Sequence, residues 1–365
     1  MKYNKWLISV GLIAALLAVL ILPGCADEEM AEDLNGEDVA APADAEYVLK
    51  LQHSWGAAEN HFFEHYARIV GNMSDGRIEI EVFSDGELVA TGEIPDAVSS
   101  GIIDMGHTHP QFHLDVLDEG YIEYVPFLWR DVDEVMAALW HYGVADLLGE
   151  AVEEKFDVVL LDFQVDDLGA LLFSSPVRSI DDMAGMTINI DPPLADVLRD
   201  QADASAVYYD AEDLWYNLNM GILDGLEWGG AKAMVDMDLH SAAISGGVAG
   251  EGAFVRPYFI TAFIPFYCIN PDVWNDLPED LQHILMEAVH ANTIWMRSYY
   301  GFHEAESMRI MEEAGIEIVD LPDEDVELMF NESLVWLENE FAPLTPRTQE
   351  IYNAVMKALE DFGRI

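Results

Sequence analysis

Residues 47–83 read YVLKLQHSWGAAENHFFEHYARIVGNMSDGRIEIEVF, and the change of period inside them decides the fold. Tyr47 to Trp55 alternates and is rich in branched and aromatic side chains, which predicts a strand. The segment from Asn60 has helical spacing and stops at Gly76, and from Arg77 to Phe83 the alternation returns. A strand, a helix and a second strand in this order predict parallel pairing. The same alternation continues outward, with a short helix at 92–101, a third strand at 102–108 and one helix from about Asp133 to Lys155. Strands follow at 156–164 and 170–175, a capped turn at SIDDMAG, a strand in MTINI, a helix ending at Gly221, and a strand ILDGLEW running into Gly229-Gly230. Beyond the apolar run at 258–270, Pro278 opens a helix of more than thirty residues, roughly 50 Å at 1.5 Å per residue, longer than one lobe is wide. Two further helices close the chain, and the class predicted is a two-lobed α/β fold.

The N-terminus has a different character. Lys2 and Lys5 precede the uncharged stretch WLISVGLIAALLAVLILPGC, which reads as a signal peptide over residues 1–25. The stretch is nearly long enough to span a bilayer, so an uncleaved anchor is the competing reading. Its end, Leu22-Pro23-Gly24-Cys25, resembles a bacterial lipobox, which implies that Cys25 carries the lipid. Residues 26–46 hold nine acidic and no basic side chains and predict an acidic disordered tether. The folded domain then covers residues 47–365. Its expected division is a first lobe over about 47–168 and 256–277, a second over about 169–255, and helices 278–365 packing on both. The other cysteine, Cys268, lies in an apolar strand and reads as a buried small hydrophobe.

The chain has 69 acidic and 16 basic residues. Such a field excludes nucleic acid and anionic membrane surfaces as partners. It is the composition of proteins bathed in molar salt, where the Debye length falls to about 3 Å, and so says little about the ligand.

Enzyme chemistry finds few candidates. The sequence has no Gly-x-Ser-x-Gly elbow, no phosphate loop, and no Gly-x-Gly-x-x-Gly after the first strand. The best enzymatic alternative is a secreted metal-dependent hydrolase built on His107, His109 and Glu227. His107 and His109 face the same way at a strand end, and Pro110 breaks the run. The competing readings are a cleft wall in which one histidine meets a ligand, and histidines satisfied within the protein.

Six segments together resemble one family: GRIEIEVFSDGELV (76–89), IPDAVSSGIIDMG (94–106), YVPFLWRD (124–131), VRSIDDMAGMTINI (177–190), LWYNLNMGILDGLEW (214–228) and INPDVWNDLPEDLQHIL (269–285). In this order they resemble the extracytoplasmic solute receptors of tripartite ATP-independent periplasmic (TRAP) transporters, over nearly all of residues 47–320. The resemblance implies a periplasmic-binding-protein-like fold with crossover strands, separate TRAP membrane subunits as partners, no catalysis and no cofactor. Glu227-Trp228 resembles the branch that binds dicarboxylates, 2-oxo and hydroxy acids, sometimes through a cation, here sodium or calcium at Glu227. In open α/β sheets ligands sit beyond the carboxyl ends of strands. The ligand-binding set expected is therefore His53, Trp55, His109, Asn189, Glu227, Trp228 and Arg256, in a cleft that shuts by hinge motion. A long C-terminal helical region also leaves a swapped homodimer open.

The chain departs from its family in one respect. Relatives hold a ligand carboxylate with an arginine on the strand that here reads MTINI, where Asn189 stands instead. A second arginine, common before FSSP, is absent around Gly169 and Ala170. Three answers remain: Arg256 supplies the charge, a cation at Glu227 bridges to the carboxylate, or the ligand is a neutral or zwitterionic compatible solute.

Overall fold

The computed structural model describes residues 45–166, 169–190, 194–209, 211–247, 250–256 and 261–365. The signal segment, Cys25, nearly all of the acidic tether, and Leu168 at the expected lobe boundary lie outside them.

The opening stretch folds as its periods predict, into β1 (Tyr47–His53), α1 (Asn60–Met73) and β2 (Ile78–Phe83). Next come α2 (Ile94–Ser99) and β3 (Met105–Thr108). The helix expected from Asp133 to Lys155 is instead two, α3 (Val132–His141) and α4 (Val144–Phe156). Gly143, at φ +80°, takes the left-handed conformation between them and turns the chain.

Then follow β4 (Val159–Phe163), β5 (Ala170–Phe173), β6 (Thr187–Asn189), α5 (Leu194–Ala202), β7 (Ser205–Val207), α6 (Ala211–Asn219) and β8 (Gly225–Trp228). The chain continues through α7 (Ala231–Asp236), α8 (Leu239–Gly246), β9 (Gly252–Arg256), β10 (Phe266–Ile269) and α9 (Pro271–Asp276). It closes with α10 (Glu279–Ala314), β11 (Ile316–Asp320), α11 (Asp323–Trp336) and α12 (Pro346–Asp361). The turn SIDDMAG carries its capping box, Ser179 with Asp182. Strands β7 and β11, three and five residues long, carried no expectation.

Two mixed sheets result, in the orders β2-β1-β3-β10-β4 and β11-β9-β5-β8-β6-β7. In the first, β10 runs antiparallel to β3 and β4, so β1, β2, β3 and β4 point one way. In the second, β5 runs antiparallel to β8 and β9 while the others agree in direction. Each reversed strand arises because the chain crosses between sheets. β4 ends at Phe163, and β5 begins at Ala170, opposite Trp228, the last residue of β8. β9 ends at Arg256, and β10 begins at Phe266, opposite Phe163. Both crossings therefore join the carboxyl edge of one sheet to the carboxyl edge of the other. The described parts of the crossings pair with each other through Gln164 N to Pro265 O (2.7 Å), Asp166 N to Phe263 O (3.1 Å) and Gly169 N to Thr261 O (2.9 Å).

Apolar cores lie on both faces of both sheets. Leu51 and Tyr267 of the first sheet share a core with Phe63 and Tyr66 of α1 and with α10, and Phe266 and Cys268 share one with Val98 of α2 and Leu148 of α4. Leu171, Ile188 and Leu198 pack beside α5, and Leu172, Leu226 and Phe254 beside α6 and α8. Each fully buried large side chain contributes about 1.5–3 kcal/mol. The 36-residue α10 spans the two: Leu281, Leu285 and Met296 join the first sheet's core, and Met311 joins the second's.

Candidate functional site

The expected site residues fall at the carboxyl edges that the crossings join, in three groups. The first is a row of rings at the ends of β1 and β3. His53 and His107 are register partners, and His107 also pairs with Tyr267. All three face the same side of the sheet, towards α1. His53 stacks on Phe63 with ring centres 3.8 Å apart, and its Nε2 meets Asn60 Oδ1 at 2.8 Å. Burial pushes its pKa down to about 4. His107 is fully enclosed by Phe63, Trp55 and Tyr267, and neither of its ring nitrogens has a hydrogen-bond partner. Burial, then His109 and His53, holds it well below the usual imidazole range, so the ring is neutral.

His109 is the centre of a hydrogen-bonded chain. The Trp55 indole Nε1 donates to His109 Nε2 (2.8 Å), and His109 Nδ1 meets Glu123 Oε1 (2.8 Å). An indole N–H only donates, so Nε2 must accept and the ring proton sits on Nδ1, facing the carboxylate. The same Glu123 oxygen accepts from Ile264 N (2.8 Å), on the return crossing, and Oε2 accepts from Gln111 N (3.0 Å). Both nitrogens of His109 are thus engaged within the protein. The third histidine of the run, His113, bonds Thr108 Oγ1 through Nε2 at 3.2 Å.

The second group lies on the other sheet. Glu227 in β8 is 4 % exposed, and its Oε1 accepts from Thr261 Oγ1 (2.8 Å) on the return crossing. A Cβ at Gly169 would collide with both of these oxygens, so glycine there is what lets the crossing pass this close to the carboxylate. Trp228 ends the strand half-buried, packed with Tyr209 against the core beside α6 and α8. Asn189 ends β6 one strand away, buried, and its Oδ1 accepts from Tyr209 N (2.6 Å).

Arg256 makes up the third group. Its Nε lies 2.8 Å from Asp320 Oδ1, the register partner at the end of β11, and its Nη1 lies 3.7 Å from the Met308 sulfur. The salt bridge commits its charge to a carboxylate of the protein.

The structure therefore joins His53, Trp55, His107 and His109 in one contact network and sets Asn189 and Trp228 on neighbouring strand ends. His109 and Glu227 are each tied to the return crossing, at Ile264 and Thr261. The metal-hydrolase arrangement of His107, His109 and Glu227 does not form: among the described residues no three His, Cys, Asp or Glu side chains converge on a metal-sized point. Four participants went unread in the sequence. Glu123 is one acid among 69, in the aperiodic stretch GYIEYVPF, and nothing local marks it. Thr261 and Gly169 act through tertiary approach alone. Gln164, which accepts from the Tyr267 hydroxyl (3.2 Å) and donates to Asp166, is equally silent.

Two mixed α/β sheets, joined at their carboxyl edges by a pair of hydrogen-bonded crossings and spanned by one long helix, with polar and aromatic side chains gathered at those edges, define a solute-binding receptor. Residues 52–344 match the family model for bacterial extracellular solute-binding protein, family 7, and the chain belongs to that family. A monocarboxylate 2-oxoacid-binding periplasmic protein of Nostoc sp. is 22 % identical over 277 residues, covering 74 % of this chain and 72 % of the relative. Among solved structures, a TRAP solute-binding protein from Chromohalobacter salexigens with bound (S)-(+)-2-amino-1-propanol superposes with a TM-score of 0.74 at 20 % identity, covering 87 % of this chain and 97 % of that one. One from Bordetella bronchiseptica, with copurified calcium and picolinate in its site, gives 0.72 at 18 % identity, over 88 % and 94 %. The fold expected from the sequence is the fold observed, and the receptor resemblance is confirmed. Among the described residues no helix is long and apolar enough to cross a membrane.

Proposed function

We propose that this receptor captures a small organic acid of the 2-oxo acid kind where the paired crossings meet the two sheets, and passes it unaltered to TRAP membrane subunits. The observation that carries the reading is the placement of Glu227. It is a buried carboxylate held at the crossing by Thr261, with Trp228 beside it, on an edge where the family's arginine position reads Asn189 and Arg256 is paired with Asp320. A ligand carboxylate needs a positive partner there. A hard cation, sodium or calcium, held by oxygens of Glu227 and Thr261 supplies it, since these ions take carboxylate, hydroxyl and carbonyl donors. The ligand class of the Nostoc relative and the calcium with picolinate in the Bordetella neighbour support this choice.

In this reading Trp55 and Trp228 are aromatic walls of the cleft, His53 and His109 hold Trp55 from behind, and Asn189 sets the backbone at Tyr209. The lobes divide at the two crossings, the first lobe covering about 47–168 and 256–277 and the second about 169–255. Cys25 carries the lipid that holds the receptor outside the cytoplasm, residues 26–46 are its tether, and the acidic surface serves a salt-rich medium.

The test is a thermal-shift screen of the full chain in molar salt over 2-oxo acids, hydroxy acids, sugar acids, pyroglutamate, picolinate, ectoine and betaine, each with and without calcium. A ligand at a hundred times its Kd adds about 2.7 kcal/mol of stability. The expected result is a rise with an organic acid that grows when calcium is present. A rise with betaine or ectoine alone would replace the acid with a zwitterion and remove the need for a cation.

A further inference from the structure

Glu123 is 1 % exposed, and its two oxygens serve three donors from three parts of the chain: Gln111 N from the turn after β3, His109 Nδ1 from the end of β3, and Ile264 N from the return crossing. His109 in turn accepts the indole N–H of Trp55, the residue that leaves β1 at the same edge. We propose that Glu123 is a positioning residue for ligand capture. It fixes the proton of His109 on Nδ1, so that Nε2 holds the Trp55 indole in one orientation, and it fastens that indole to the crossing strand on which the two sheets hinge. The inference rests on the reading of Trp55 as a cleft wall.

The chemistry allows little else. A buried carboxylate accepts several hydrogen bonds but donates none, so the imidazole beside it must present a proton. The opposite nitrogen is then bare and faces the only kind of group it can hold, a donor. Every group in the chain is matched, from Ile264 N–H through carboxylate and imidazole to indole. A displacement of the crossing at Ile264 is passed to Trp55 through three hydrogen bonds, so hinge closure and ring placement move together. A glutamine at 123 offers one oxygen and one NH2: with the NH2 in place of Oε2 it meets Gln111 N–H, and with the NH2 in place of Oε1 it meets both His109 Nδ1–H and Ile264 N–H, so at least one donor always meets another donor.

The test needs no ligand, so its failure is distinct from failure of the receptor reading. Nitrogen NMR of the full chain in high salt reads the His109 ring and the Trp55 indole directly. Expected are a protonated Nδ1, a bare Nε2, and a coupling across the hydrogen bond between Trp55 Nε1 and His109 Nε2. In Glu123→Met, and separately in Glu123→Gln, the coupling should weaken or vanish and the protection of the Trp55 indole proton against solvent exchange should fall at least tenfold. His113→Leu, which disturbs the core beyond the relay, should lower stability and leave the coupling in place. A proton on His109 Nε2 in the native chain would overturn the proposal without any variant having to fold. So would an unchanged Trp55 coupling in either Glu123 variant, or loss of the coupling in His113→Leu.

Discussion

Thr261 Oγ1 donates to Glu227 Oε1 at 2.8 Å, so the crossing that returns from the second sheet to the first is tied to the carboxylate in the middle of the Leu-Glu-Trp sequence of β8. If the crossings act as the hinge of the proposed receptor, any group bound by Glu227 is bound there, where it would bias the relation of one sheet to the other.

Replacement of the neighbouring Trp228 by alanine should remove the proposed stacking surface at a modest cost in stability, because the indole is half-buried at a strand end, against the margin of the core beside α6 and α8. Calorimetry should show affinity for the organic acid falling at least tenfold, about 1.4 kcal/mol, with a melting temperature within a few degrees of the native chain. Unchanged affinity would remove Trp228 from the cleft wall.

Gly169→Ala tests the close passage itself. The new methyl would collide with Thr261 Oγ1 and Glu227 Oε1. Overpacking of this kind costs about 1–3 kcal/mol. Denaturant unfolding should show that loss, and ligand affinity should fall with it, since the carboxylate must turn away. Full stability with full affinity would mean that the crossing does not approach Glu227 in solution.

The buried histidines predict acid sensitivity. Burial pushes His53 and His113 down to about 4 from 6.5, and both rings are neutral in the folded chain at neutral pH. As pH falls below 6.5 the unfolded chain takes up protons that the folded chain refuses, so their contribution to stability is complete above 6.5 and is lost on approach to 4. Each such shift is worth about 3 kcal/mol at its full extent. Carboxylates titrate nearby, so the measurement is a difference: the denaturant midpoint of His113→Leu should fall less steeply between pH 6.5 and 4 than that of the native chain. Parallel slopes would contradict the assignment.

How far the fold could be read from the sequence depended on whether the signal was local. The periods of 47–83 set strand, helix and strand, and the Pro278 start and long apolar spacing set α10, because local spacing dictates which face is buried. Asp133 to Lys155 read as one helix because its apolar spacing carries through, and only the left-handed backbone at Gly143 divides it. The placement of His53, Asn189 and Trp228 at strand ends followed from the alternation. The roles of Glu123, Thr261 and Gly169 depend on contacts between segments 141, 34 and 92 positions apart, which no local pattern encodes. His107 and His109 read as candidate metal ligands, yet their neighbours in space are the Trp55 indole and the Glu123 carboxylate.

The most direct measurement is calorimetric titration of the organic acid that the screen identifies into the calcium-loaded and the chelator-treated full chain, beside Asn189→Arg under both conditions. A cation at Glu227 in place of the family's guanidinium predicts that chelation weakens the native receptor at least tenfold, while Asn189→Arg, with a guanidinium restored, loses most of that dependence. Equal affinity of the native chain with and without the ion, together with weaker binding by Asn189→Arg, would contradict it.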